Sequence, residues 1–370
     1  MRELGRWSEI NREAEIGVLD AGLDFRLPEY RRAVFKRFYD FHTRYRSHPG
    51  GVYYLMPEIS RRAGFTEEDK LWFAFINGNT QNPVTSWIIF NQFPNVSKAG
   101  DILGWFNKEW HRLQFDTDRR YQKKLFPMSS EKYMHLTRGN QEEYFHKLYA
   151  RATGKAAFNP LWQTVTGKFL GFGRLAAYSY TEYLVVMGLP VECDSLMLWD
   201  MGGSKSHRNG LSIVLGRDDL DWHASNPSFN GEYGNDLLTW LESEADVLLS
   251  ECKSFSKTTE NPYVHEMGYH TFESALCTYK SWHRPNRRYP NVYNDMLHER
   301  IVHAQYLWPD MDLSMFWDIR KDVLPKHLRL EDNPRDCGLH PSKQNHYLNT
   351  GEVIMMDTEF PEFKNNWMAA

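Results

Sequence analysis

Apolar residues recur along this chain with the period of helices rather than of strands. Between residues 29 and 46, Val34, Phe38, Phe41 and Tyr45 return every three or four positions among basic residues, which predicts an amphipathic helix. Leu237, Leu241, Ala245, Leu248 and Cys252 repeat the pattern. In residues 71–94, LWFAFINGNTQNPVTSWIIFNQFP, two apolar runs bracket the polar insert 77–83, as two helices joined by an amide-rich turn would. Residues 169–184, FLGFGRLAAYSYTEYL, read as an apolar entry, a Gly-x-Gly turn and a second helix beginning with small residues, a helical hairpin. Strand-like alternation is scarce, and Gly and Pro punctuate segments of helical length. The expected fold class is mainly α with irregular loops.

Length allows one large domain or two tightly joined lobes. No repeat, low-complexity tract or proline-rich linker divides the chain, so residues 29–333 are expected to form one helical catalytic unit. Residues 1–28 precede it, and an extended arm is expected over 334–370. No apolar run approaches the ~18 residues of a membrane span, and the charged N-terminus has no signal-peptide core. Four widely spaced cysteines match no metal or iron–sulfur spacing, which points to free thiols in a reducing cytoplasm.

Aromatic residues make up 15% of the chain, enough both to build cores and to stack on bases. The net charge of −4 excludes a protein that grips nucleic acid through overall positive charge. Local patches remain: Arg31, Arg32, Lys36, Arg37, Arg44 and Arg46 form one, and Lys280, Arg284, Arg287 and Arg288 another.

Four segments carry candidate chemistry. In the amide-rich insert, Asn79, Gln81 and Asn82 can read the Watson–Crick edge of an extruded base, or cap the next helix as ordinary turn residues. In the hairpin, Gly171 and Gly173 free the backbone so that N–H groups beside Arg174 can meet a DNA phosphate, although an ordinary helix–turn–helix has the same spacing. Asp194 and Asp200 follow the hairpin as candidate catalytic carboxylates, or as a helix cap and a surface charge. The stretch 202–210, GGSKSHRNG, has the composition of a phosphate-binding loop with Lys205 and Arg208 as its cations, or of a solvated turn; it is no Walker A sequence. In 269–301, Glu273, Cys277 and Lys280 share helical spacing, so Glu273 and Lys280 can act as base and anion clamp or simply as a surface ion pair. Arg287 and Arg288 follow with bidentate guanidinium groups suited to phosphate. His265 and His270 have no matching carboxylate pair, and no dense metal-ligand cluster is apparent.

Taken in this order, the segments resemble the phage α-glutamyl/putrescinyl thymine pyrophosphorylases, the amino acid:DNA transferases. The shared features are the Thr-Gln-Asn-Pro stretch at 80–83, the Gly-Phe-Gly hairpin, an Asp before the Gly-Gly-Ser loop, Asn209-Gly210-Leu211, and a Glu-x-x-Leu-Cys-x-x-Lys block at 273–280. The placement of Asp194 after the hairpin also resembles the helix-hairpin-helix DNA glycosylases, which implies a two-lobed helical, glycosylase-like core. Leu175 and Ala176 follow Arg174 where bifunctional glycosylases carry a lysine, so lyase chemistry is not implied.

The resemblance implies an enzyme acting in the cytoplasm of an infected bacterium, after a kinase that pyrophosphorylates 5-hydroxymethyluracil in double-stranded DNA. It implies base flipping, then displacement of pyrophosphate from the base methylene by a free amino acid or polyamine. Asp194, Glu273 or Asp200 would accept the nucleophile's proton, and Lys205, Arg208, Arg287 and Arg288 would stabilise the departing pyrophosphate. No motif demands a cofactor, and Mg2+ can accompany pyrophosphate with few protein ligands. A helix-hairpin-helix DNA glycosylase and a non-catalytic DNA-binding accessory protein are the alternative readings.

Overall fold

The computed structural model describes residues 28–44, 46, 51–199, 205–220, 231–282, 296–324 and 329–332. In chain order its α-helices of eight residues or more are α1 (Pro28–Arg44), α2 (Val52–Ala63), α3 (Glu67–Thr80), α4 (Pro83–Gln92), α5 (Ile102–Glu109), α6 (Phe126–Thr137) and α7 (Gln141–Tyr149). They continue with α8 (Lys155–Lys168), α9 (Arg174–Val186), α10 (Lys205–Val214), α11 (Gly231–Thr258), α12 (Tyr269–Trp282), α13 (Met296–Leu307) and α14 (Ser314–Val323). Among the described residues no strand forms, and β-pairing is limited to one isolated bridge between Gly154 and Val191. The protein is mainly α, as the periodicity predicted. None of the described helices is long and apolar enough to cross a membrane.

The chain divides into two compact units. The first comprises Met1–Pro49, Ser195–Met296 and Leu324–Ala370, and its described helices are α1, α10, α11 and α12. The second comprises Gly50–Asp194 and Leu297–Val323, and holds α2 to α9 with α13 and α14.

In the first unit, α1 buries Val34, Phe35, Phe38 and Tyr39, and the ring of Phe35 meets Phe272 and Tyr279 of α12 at 5.9 and 5.2 Å in edge-on geometry. Leu237, Leu241, Ala245, Leu248 and Cys252 of α11 are all buried, so the repeat seen in sequence is the core stripe of that helix. The basic cluster in and just after α1 is largely neutralised internally. Arg31 pairs with Asp218 at 2.6 Å, Arg32 with Glu251 at 2.9 Å, and Arg46 with Glu266. The first basic cluster is therefore not an open polyanion patch, because acids distant in sequence fold onto it.

In the second unit, α3 starts at a capping box in which Thr66 accepts from the Asp69 N–H and Asp69 accepts from the Thr66 N–H. It ends at Gln81, whose left-handed backbone (φ +49°) reverses the chain. Asn82 then caps α4 by accepting from the N–H groups of Val84 and Thr85, both at 3.1 Å, with Pro83 at the first helical position. Helices α8 and α9 form the expected hairpin. Gly171 supplies its left-handed turn (φ +80°), and Phe172 drops into the core, stacking on Phe75 at 5.5 Å. Phe75 also stacks on Tyr133 at 3.9 Å. A β-carbon at Gly78 would lie 2.7 Å from the Phe172 ring, so the glycine inside α3 makes room for the hairpin's aromatic anchor. Much of the aromatic content of the chain thus serves as core.

Candidate active site

In the first unit the chemistry-bearing residues gather on one helix seam. Helices α10 and α12 approach so closely that a β-carbon at Gly210 would sit 2.2 Å from the carbonyl oxygen of Leu276. Residues 205–210, expected as a wrapping loop, are the first turns of α10, and residues 200–204 lie outside the described residues. The helical form turns successive side chains to different surroundings. Lys205 is exposed at the start of α10. The Ser206 hydroxyl lies 3.0 Å from the Cys277 thiol. Arg208 is fully buried and donates through Nη1 to the Leu198 carbonyl at 3.2 Å.

His207 forms the most specific contact of the seam. Its Nδ1 lies 3.0 Å from Glu273 Oε1, and its Nε2 lies 3.1 Å from the Leu196 carbonyl oxygen. A carbonyl can only accept, so Nε2 carries hydrogen. One further proton then lies between Nδ1 and the carboxyl, giving either imidazolium and carboxylate or two neutral partners. The side chain of His207 is 1% exposed and that of Glu273 13%, so the histidine supports the carboxyl from behind while the carboxyl stays reachable. As imidazolium and carboxylate, such a pair can take up a proton at Glu273. Lys280, about two turns further along α12, is buried. His270 near the start of the same helix is also buried, its Nδ1 has no hydrogen-bond partner, and burial draws its pKa down to about 4.

In the second unit, Asn79, Gln81 and Asn82 are all buried. The Asn79 amide donates to the Phe75 carbonyl at 3.0 Å, Gln81 Oε1 accepts from the Thr117 hydroxyl, and Asn82 Oδ1 caps α4. Asp116 lies beside this turn, its N–H donating to the Thr80 carbonyl at 2.8 Å and its carboxylate meeting Arg300 Nε at 2.6 Å. Burial raises the Asp116 carboxyl above the ordinary range, and Arg300 pulls it the other way. The Gly171 carbonyl accepts from Arg119 at 2.7 Å, while Gly173 is the N-cap of α9 without a side-chain cap and Arg174 is its first residue. Asp194 is exposed at the end of this unit. Asp200, Arg287 and Arg288 lie outside the described residues.

The chain matches the family model described as amino acid:DNA transferase over residues 53–288, a span that includes the amide turn, the hairpin and the His207–Glu273 seam. The chain belongs to the amino acid:DNA transferase family. It is a transferase of that family, and a related protein is the serinyltransferase of Salmonella phage ViI. The two are 28% identical over 331 residues, which cover 85% of this chain and 79% of the phage protein. No solved structure matches.

Sequence reasoning singled out Glu273 but passed over His207, although the residue stood inside the GGSKSHRNG stretch. Its signal was its place between two cations in a segment otherwise read as loop. Asp116 and Arg300 carried no local signal, being 184 positions apart. The cluster Glu67, Glu142 and His146, whose ligand atoms lie within 4.8 Å of one another, also escaped notice because two helices contribute to it.

Proposed function

We propose that this transferase replaces pyrophosphate on the methylene of 5-pyrophosphoryloxymethyluracil in DNA with an amino acid, serine being the first donor to test. The family match through both polar regions carries the reading. The serine preference is drawn from the phage serinyltransferase. The reaction would follow a 5-hydroxymethyluracil DNA kinase, in the cytoplasm of an infected host. A base methylene cannot meet a second substrate inside the stacked duplex, so the base leaves the stack at a cost of a few kcal/mol.

Serine offers two nucleophiles, an amine and a hydroxyl, and either must lose a proton as it bonds to carbon. In this reading Glu273 accepts that proton, held in place by His207, and the carbon–oxygen bond breaks with its electron pair leaving on pyrophosphate. Lys205, with Arg287 and Arg288, meets the departing charge. Asp194 is the competing base. The hairpin at Gly171, Gly173 and Arg174 contacts the DNA backbone.

The test is to incubate the protein with DNA carrying 5-pyrophosphoryloxymethyluracil and a pool of amino acids and polyamines, then to digest to nucleosides for mass spectrometry. A serine adduct with released pyrophosphate is expected, and fragmentation distinguishes N- from O-linkage. An adduct with another amino acid would change the donor only. An unchanged base would sink the transfer reading, and abasic sites would favour a glycosylase.

A further inference from the structure

The second unit carries a basic, aromatic-tipped surface beside the hairpin that no motif singled out. Residues 119–124 read RRYQKK, a concentration of cations in a chain whose net charge is −4. They fold as a one-turn helix, Arg119–Gln122, followed by the 3-10 turn Lys123–Leu125. Arg119 is buried and ties this segment to the hairpin through its bond to the Gly171 carbonyl. A β-carbon at Gly171 would stand 3.5 Å from Gln122 Oε1 and 3.8 Å from a Leu125 methyl, so hairpin tip and basic segment lie side by side.

The cations have separate surroundings. Lys123 is inward-facing: it donates to the Leu113 carbonyl, lies over the rings of Trp110 and Phe115, and burial lowers its pKa to about 8. Arg120 and Lys124 are exposed. Between them Tyr121 is 83% exposed, with the Arg120 guanidinium 5.5 Å from its ring centroid. Of the two acids just before the segment, Asp118 faces Arg119 at 3.4 Å and Asp116 pairs with Arg300. On the hairpin side, the first turn of α9 has no acidic residue and its second residue, Leu175, is 47% exposed.

Exposed cations flanking an exposed aromatic ring, next to an uncapped helix start, fit a phosphodiester backbone with an unstacked base close by. We propose that Arg120, Tyr121 and Lys124, together with the hairpin tip, form the surface on which duplex DNA docks, the two cations on phosphates and Tyr121 against a base freed from the stack. The proposal rests on the reading that the hairpin meets DNA, and extends it to a segment some 50 residues earlier in the chain.

The experiment is fluorescence anisotropy of the full chain with unmodified duplex DNA and with a duplex carrying one mispaired uracil, across a salt series. It compares wild type, the R120Q/K124Q pair, Y121A, and R61Q/K98Q as a charge-matched control on exposed cations elsewhere. R120Q/K124Q is expected to weaken both duplexes and to lower the slope of log affinity against log salt by roughly 2, with R61Q/K98Q near wild type. Y121A is expected to cost about tenfold on the mispaired duplex and less on the paired one. Equal losses in R120Q/K124Q and the control, or no duplex binding by wild type at low salt, would overturn the proposal. Because no transfer is measured, patch-dependent binding by a protein that transfers nothing would uphold this surface and fault the reaction reading alone.

Discussion

The amide turn between α3 and α4 and the seam between α10 and α12 are both buried and polar, yet they use their polar atoms differently. At the turn, side chains mostly serve the backbone: Asn82 caps a helix, Asn79 bonds the carbonyl of Phe75, and the Ser86 hydroxyl donates to the carbonyl of Asn82 at 3.0 Å. At the seam, side chains serve each other, with a reachable carboxyl on a buried imidazole. Backbone-bound polar groups are fixed by the fold they complete, whereas a carboxyl–imidazole pair keeps a proton that can move. The first arrangement supports a structure and the second can support a reaction.

The largest expected effect tests the seam. Glu273→Gln should lower single-turnover transfer by roughly 10²–10⁴-fold while leaving the melting temperature near that of wild type. If Asp194→Asn does this instead, the base lies in the other unit and the comparison fails. His207→Asn, which can keep a donor toward Glu273, should retain more activity than His207→Gln, with substrate KM little changed in both; equal losses tracking stability would reduce His207 to packing.

Next is a contrast between His207 and His270 of α12. His270 is held neutral when folded, so the unfolded chain binds its proton first as pH falls. Its stabilising contribution is complete above the ordinary pKa of 6.5 and is lost as pH drops from there toward about 4, up to about 3 kcal/mol. Thermal melts at pH 4.5 and 7.5 should converge in His270→Gln, and an unchanged pH dependence would show that another group controls it.

Gly210→Ala should cost about 1–3 kcal/mol by urea unfolding, since the new methyl meets backbone of α12 rather than a movable side chain. A neutral result would mean that the helices separate readily, and that the seam is looser than its geometry. The smallest effect belongs to the turn. Asn82→Ala should cost about 1 kcal/mol of stability through the lost cap, with the transfer rate per folded molecule largely preserved. Loss of activity at unchanged stability would instead make the turn a base-reading site.

Some of this was legible in sequence and some was not, for identifiable reasons. The stripe of α11 and the helix pair of residues 71–94 could be read because helical periodicity and Asn-Pro punctuation are local. The helix at Lys205–Val214 was misread as loop up to residue 210, since Gly, Ser and Asn lower helix propensity; packing against Leu276 outweighs that preference and requires the glycine. The arginines of α1 looked like an anion patch because their acidic partners, Asp218 and Glu251, are about 190 to 220 positions away.

The sequence by itself determined the helical class, the helix pair of residues 71–94, the hairpin of residues 169–184 and the family, because each is written in spacings of a few residues or in ordered motifs. Only the tertiary structure decided which polar residues bond to the backbone and which pair with another side chain. A side chain's role depends on what opposes it across a helix seam, as Glu273 opposes His207. That partner is chosen by packing between segments whose separation in sequence leaves no local trace.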